Sequence, residues 1–89
     1  MGAKGGAAEA VEYRDAERGY SVRLVLRVRA GDPPPPEAGE VRELECCRPD
    51  GTVYQVTFRR GGRRCCHEYP LASVARCEEE WVPVPDRGH

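Results

Sequence analysis

Between residues 20 and 29 the chain reads YSVRLVLRVR, with Tyr20, Val22, Leu24, Leu26 and Val28 apolar at every second position. Ser21, Arg23, Arg27 and Arg29 fill most of the gaps. Such a period of two marks a strand with one buried face; a helix would scatter the same residues around its axis. Alternation recurs at 52–58 (TVYQVTF), and extended structure is expected at 41–47 and 64–69. Upstream, two arrangements are open. Residues 7–18 have helix-forming composition, with Gly19 as a C-cap. Alternatively, residues 11–13 form a short strand and 14–19 a turn, giving a hairpin with the strand at Tyr20. The stretches DAERGYSVRL and PDGTVYQVTF both run from Asp through Gly into an alternating strand, which favours the hairpin.

The turns test this pattern, because register must keep apolar residues on one face. A three-residue loop at 49–51 sets Arg48 opposite Thr52, Cys46 opposite Tyr54 and Leu44 opposite Val56. A two-residue turn at Gly61-Gly62 sets Phe58 opposite Cys65, Val56 opposite His67 and Tyr54 opposite Tyr69. Both turns place Tyr54, Val56 and Phe58 on the same face as their partners. Residues 30–39, with four consecutive prolines, cannot continue a sheet and read as a stiff exposed loop. Pro70 stops the strand before it, residues 71–75 suit a turn of helix with Ser73 as a cap, and 80–84 read as a last edge segment.

These elements predict one all-β domain over residues 11–85, a five- or six-stranded antiparallel meander bent into a small SH3-like barrel. A short helical turn is expected near 71–77, a disordered Gly/Ala-rich tail at 1–10 and a C-terminal tail at 86–89. The run DGTVYQVTFRRGGRRCCHEYPLASV, residues 50–74, resembles the middle of an SH3-like barrel of the Tudor type. The shared features are a DG-type turn into an aromatic strand, a Gly turn, another strand and a Leu-x-x-Val close. The resemblance implies an aromatic cage drawn from Tyr54, Phe58, Tyr69 and Trp81. The proline loop and the extra N-terminal strand depart from the simplest Tudor pattern.

Composition limits the core. Hydrophobic residues are 39% of the chain and Pro plus Gly make up 18 of 89, so stability should be modest. A net charge of −1 gives no overall attraction to nucleic acid or anionic lipid, although 13 arginines stand against one lysine. That bias fits either a GC-rich coding sequence or selection for guanidinium chemistry. No apolar run approaches the ~18 residues of a membrane span, and the N-terminus lacks the apolar region of a signal peptide. Gly2 without Ser or Thr at position 6 argues against myristoylation. Five cysteines without an export signal imply reduced thiols in the cytoplasm or nucleus.

Candidate chemistry is sparse. Cys46-Cys47 and Cys65-Cys66 are adjacent pairs whose side chains diverge along a strand, unlike the spaced pairs of zinc sites. Convergence of Cys46, Cys65 or Cys66, His67 and Cys77 across strands stays open, beside their plain reading as small buried hydrophobes. His67 next to Cys66 cannot form a nucleophile pair for the same geometric reason. Glu43 or Glu45 is expected opposite Arg27 or Arg23. The proline run serves as a spacer or a polyproline ligand. RRGGRR puts Arg60 opposite Arg63 and Arg59 opposite Arg64 at a hairpin tip, suited to phosphate or carboxylate.

The sequence therefore points to a small non-catalytic protein-interaction module without metal or cofactor. Its expected binding residues are Arg59, Arg60, Arg63, Arg64, Tyr54, Tyr69 and Trp81. Nucleic-acid binding through the same hairpin is the first alternative, and a zinc or redox-active thiol protein the second. A homodimer through exposed sheet edges is a further expectation, and a membrane partner is not expected.

Overall fold

The computed structural model describes residues 7–35, 38–49 and 51–84. The expected C-terminal tail and residues 1–6 of the N-terminal tail lie outside them. Among the described residues seven strands form, in the order β1 Ala7–Asp15, β2 Tyr20–Val28, β3 Gly39–Glu40, β4 Arg42–Cys46, β5 Val53–Arg60, β6 Arg63–Pro70 and β7 Val74–Trp81. A 3-10 turn at Leu71–Ser73 joins β6 to β7. The chain is all-β, as its alternation predicts.

The upstream fork resolves as a hairpin. β1 pairs antiparallel with β2 from Ala7 opposite Val28 to Asp15 opposite Tyr20. The strand begins at Ala7, inside the stretch expected to be a tail, because β2 is long enough to template it. At the other end residues 16–19 form the loop, where the amides of Arg18 and Gly19 donate to the Asp15 carbonyl at 3.2 and 2.9 Å.

Two sheets result, ordered β3-β1-β2-β7 and β4-β5-β6. They do not close into the expected barrel: among the described residues no ladder joins β4 to β7 or β1 to β6. Nor is the whole chain a meander. The chain crosses between the sheets at Val41, between β3 and β4, and at the 3-10 turn Leu71–Ser73, between β6 and β7. After β2 the proline loop leads to β3, which runs parallel to β1 with Gly39 opposite Tyr13. Thus the last residue of the expected 30–39 loop is a strand residue. After β6, Pro70 has no amide to donate, and the Leu71 amide turns to the Thr52 carbonyl at 2.8 Å. β7 then leaves β6 and pairs with β2, Tyr20 opposite Trp81. The last strand accordingly covers Val74–Trp81 rather than residues 80–84.

The β5–β6 register is the one set by a two-residue turn, with Phe58 opposite Cys65 and Arg60 opposite Arg63. Gly61 and Gly62 take φ of +61° and +78°, the paired left-handed conformation that this tight turn demands. The β4–β5 register differs from expectation by two residues: Cys46 faces Val56, not Tyr54. Pairing ends before Pro49, and a shift of two preserves which face is inward. A bulge between Arg42 and Glu45, with Glu43 at φ +49°, lets Val41 and Leu44 both turn inward despite their odd spacing.

The core lies between the sheets: Tyr13, Val22, Leu24, Leu44, Val56 and Phe58 are each no more than 1% exposed. Burying such side chains contributes roughly 1.5–3 kcal/mol apiece for the aliphatic and phenyl groups. β1 packs over β6 through Tyr13, whose hydroxyl meets His67 and Tyr69. β7 lies over β4 through Cys77 and Cys46. Glu43 and Glu45 sit in the opposite sheet from Arg23 and Arg27, so the expected pairs do not form. Arg23 instead meets Glu78 at 3.2 Å, and Arg27 donates to the Ala72 carbonyl at 2.9 Å.

Candidate functional site

The four hairpin arginines are not equivalent. Arg59 is half-buried and donates to the Gly62 carbonyl at 3.1 Å. Arg60, also half-buried, donates to the Ala38 carbonyl at 3.1 Å and lies 5.2 Å from the Phe58 ring centre. Arg63 and Arg64 are exposed, and among the described residues neither makes an ion pair. Directly opposed like charges are unfavourable by up to ~1 kcal/mol per pair unless solvated or countered. Here Arg63 and Arg64 are left to water.

A fifth arginine that the sequence reading passed over joins the cluster. Arg42 stands opposite Arg59 across β4–β5 and reaches Glu17 on the β1–β2 loop at 3.4 Å. Arg42, Arg59 and Arg60, with Glu17 and Glu40, line a cleft of about 400 Å³ floored by Ala16, Val41 and Gly61. Beyond Ala16 and Glu40, which line both, opens a more apolar cleft of about 290 Å³ formed by Tyr20, Val82, Pro83 and Val84. The two clefts are thus contiguous at one end of the sandwich. No motif announced this, because Glu40 belongs to β3, Arg42 to β4 and Glu17 to the β1–β2 loop.

The aromatic residues divide. Tyr54 and Tyr69 are 5% and 3% exposed, so neither belongs to a contact surface, contrary to expectation. With Phe58 also buried, the aromatics of the implied cage do not gather around one opening: Tyr69 lines a cleft of about 260 Å³ with Pro33, Pro34 and Pro35, and Tyr54, Phe58 and Trp81 do not share it. Trp81 is 63% exposed and stacks on Tyr20 with ring centres 4.3 Å apart and 28° between planes. The Arg18 guanidinium lies 5.6 Å from the Tyr20 ring centre, and the Tyr20 hydroxyl donates to Glu79 at 3.1 Å. Burial, then that hydrogen bond, pushes the Tyr20 hydroxyl above its usual range, so it stays protonated. Val82 and Val84 extend the exposed apolar surface beside Trp81.

The thiols and histidine are placed otherwise than their sequence neighbours suggest. Cys46 and Cys77 converge, while Cys66 is exposed on the outer face and Cys65 turns to the Arg63 carbonyl. Among the described residues no three His, Cys, Asp or Glu side chains form a group able to hold a metal ion. The His67 Nδ1 is 2.8 Å from the Tyr13 hydroxyl, which also bonds the Tyr69 hydroxyl. With the His67 proton on Nε2 the Tyr13 O–H donates to Nδ1 and accepts from Tyr69; with it on Nδ1 the ring donates to Tyr13, which then donates to Tyr69. Burial foremost, and the Arg60 charge next, hold the His67 imidazole below its usual range.

A lowered folded-state pKa means that the unfolded chain binds more protons, so stability rises with pH. His67 therefore contributes fully above about pH 6.5, its ordinary value, and less as pH falls through its folded value. Urea midpoints should drop between pH 7.5 and pH 5 in the native chain. His67→Gln should flatten that slope; an equally steep one would assign it to other groups.

Comparison of the chain with protein-family models, with curated proteins and with solved structures gave no significant match, so its chemistry is read from its own residues.

Proposed function

We propose that this chain is a small non-catalytic interaction module that holds an acidic segment of a partner protein at the end of the sandwich. The observation that carries this reading is the continuity of the two clefts across Ala16 and Glu40. One offers Arg42, Arg59 and Arg60, and the exposed Arg64 and Arg63 stand opposite Arg59 and Arg60 on the adjoining strand. The other offers an apolar lining beside Trp81. A segment carrying carboxylates next to an aliphatic or aromatic side chain satisfies both at once. Arginine forks onto carboxylate with two donors, which fixes orientation as well as charge.

The same arginines suit phosphate, and a base could stack on Trp81. Glu78, Glu79 and Glu80 immediately precede that tryptophan and repel a continuous phosphate chain, whereas a peptide can keep its carboxylates at the arginines and bring an uncharged apolar residue to Trp81. Protein is therefore the preferred partner class.

The test titrates acidic peptides, with and without a flanking leucine or phenylalanine, while following Trp81 fluorescence. The flanked peptides should bind more tightly. Arg63→Glu with Arg64→Glu should weaken them roughly tenfold, as reversal of two exposed ion pairs implies. Unchanged affinity would refute the reading. Tighter binding of single-stranded oligonucleotides, falling steeply with salt and lost in the same variant, would transfer the site to nucleic acid.

A further inference from the structure

The side of the sandwich between β4 and β7 is an open seam. β4 pairs only with β5 and β7 only with β2, so among the described residues no ladder joins the two edges. Two thiols face each other across this gap. The Cys46 and Cys77 sulfurs are 3.8 Å apart, and both residues are half-buried. The Tyr54 hydroxyl lies 2.7 Å from the Cys77 sulfur and also bonds the Cys46 sulfur. Each cysteine is fixed by its ladder, Cys46 opposite Val56 and Cys77 opposite Leu24. Cys65 contacts the Arg63 carbonyl, and Cys66 is exposed and within electrostatic reach of Cys47, with no sulfur–sulfur contact like that of Cys46 and Cys77.

We infer that Cys46 and Cys77 are an oxidation site, an inter-sheet dithiol whose disulfide closes the β4–β7 seam. A disulfide requires about 2.05 Å between sulfurs, and the present 3.8 Å is to be closed by side-chain torsion and slight approach of the two edges. The oxidant is a small-molecule disulfide such as oxidised glutathione. One cysteine thiolate attacks it, forming a mixed disulfide and releasing one glutathione thiolate. The other cysteine attacks the protein sulfur of that mixed disulfide and expels the second. Two electrons pass from the cysteines to glutathione, and the two thiol protons end on two reduced glutathiones. Burial pushes the Cys46 thiol up to about 12, so attack by that thiol should quicken with alkali.

The consequence is mechanical. The cross-link joins residues 31 apart in sequence, and the loop it closes contains the whole β5–β6 hairpin with its arginine tip. Closing such a loop restricts the unfolded chain, and for a domain of this size the melting temperature should rise by roughly 10 °C or more. The arginine hairpin would be tied to the sheet that bears Tyr20 and Trp81.

The experiment incubates the full chain with oxidised glutathione, removes the excess, blocks remaining thiols and maps the product by mass spectrometry. The expected product has lost two hydrogens and keeps three blockable thiols. After trypsin, the fragment containing Cys77 should be linked to the one containing Cys46 and Cys47. Backbone fragmentation between those two residues should assign the bond to Cys46, so the wild-type chain alone decides. Cys46→Ser and Cys77→Ser should each abolish both the link and the rise in melting temperature, whereas Cys47→Ser should keep both. Blockable Cys46 and Cys77 after equilibration, or a bond assigned to Cys47, would overturn the inference. So would glutathione retained on Cys66 with no internal link. None of these outcomes bears on peptide binding at the arginine cleft.

Discussion

Asp15→Ala is expected to destabilise the fold by about 2–4 kcal/mol, near the upper end of single-substitution effects. Asp15 is 1% exposed, the sole charged residue that is buried among those described. Its carboxylate accepts from the Arg18 Nε at 2.9 Å, the Arg18 amide at 3.3 Å and the Leu44 amide at 3.2 Å. Those bonds tie the β1–β2 loop to β4 in the other sheet. Alanine leaves the Leu44 amide without an acceptor in the core, and an orphaned buried donor costs ~1–3 kcal/mol. Arg18 is half-exposed and can return to water, so its loss is the smaller part. Its guanidinium also donates to the Leu44 carbonyl, and that bond depends on the side chain Asp15 holds in place. Chemical denaturation measures the effect directly. A change below ~0.5 kcal/mol would show that the loop and β4 are held together by other means.

The same residue sets an acid limit. Burial alone would raise the Asp15 pKa, but hydrogen bonds from Arg18 and Leu44 outweigh it and hold the carboxyl below its usual range. Because the folded-state value is depressed, the contribution is complete above about pH 3.8, the ordinary value, and is lost as pH falls through the folded one. This window lies well below that of His67, so the two groups separate in one pH series. Asp15→Asn should remove the lower step and leave the upper.

Much of the fold is legible in parity. Strand β2 is visible in YSVRLVLRVR, and the register of β5 on β6 follows from Gly61-Gly62, because adjacent strands joined by a tight turn carry their pairing in the local sequence. What is not local is not visible. The pairing of β7 with β2 joins residues 48 to 61 apart in sequence, and the parallel contact of β3 with β1 rests on two residues with no periodicity at all. Asp15 gave no signal because an acidic residue before a turn usually faces water. Only the arrival of the Leu44 amide from the second sheet makes its burial favourable.

The candidate site divides on the same line. The arginine tip follows from its turn, whereas Arg42, Glu17 and Glu40 are assembled by the crossing of the chain between sheets. Parity along β5 and β6 turns Tyr54 and Tyr69 inward, against the binding role their aromatic character suggests. A residue on the buried face of a strand cannot also be a ligand contact unless the face is open, as it is at Trp81.

Gly19→Ala should cost about 2–3 kcal/mol, whereas Gly62→Ala should cost only about 1–2 kcal/mol, although the backbone conformations are nearly the same. Gly19 has φ +71° and Gly62 φ +78°, so the left-handed penalty of ~1–2 kcal/mol applies to both. The surroundings separate them. A Cβ on Gly19 would stand 2.0 Å from the Val82 carbonyl oxygen and 2.9 Å from a Val84 methyl, while on Gly62 it would meet nothing within 4 Å. The chain at 82–84 must then retreat, breaking the bond from the Val82 amide to the Gly19 carbonyl, now 2.7 Å, for a further ~1 kcal/mol. That retreat would remove Val82, Pro83 and Val84 from the apolar cleft and uncover Tyr20. Gly19→Ala should therefore weaken binding of peptides with an apolar flank and leave purely acidic ones little changed. Denaturation of the two variants side by side, with Trp81 fluorescence as the probe of its neighbours, tests both halves. Equal costs would mean that the segment at 82–84 does not bear on Gly19 in solution.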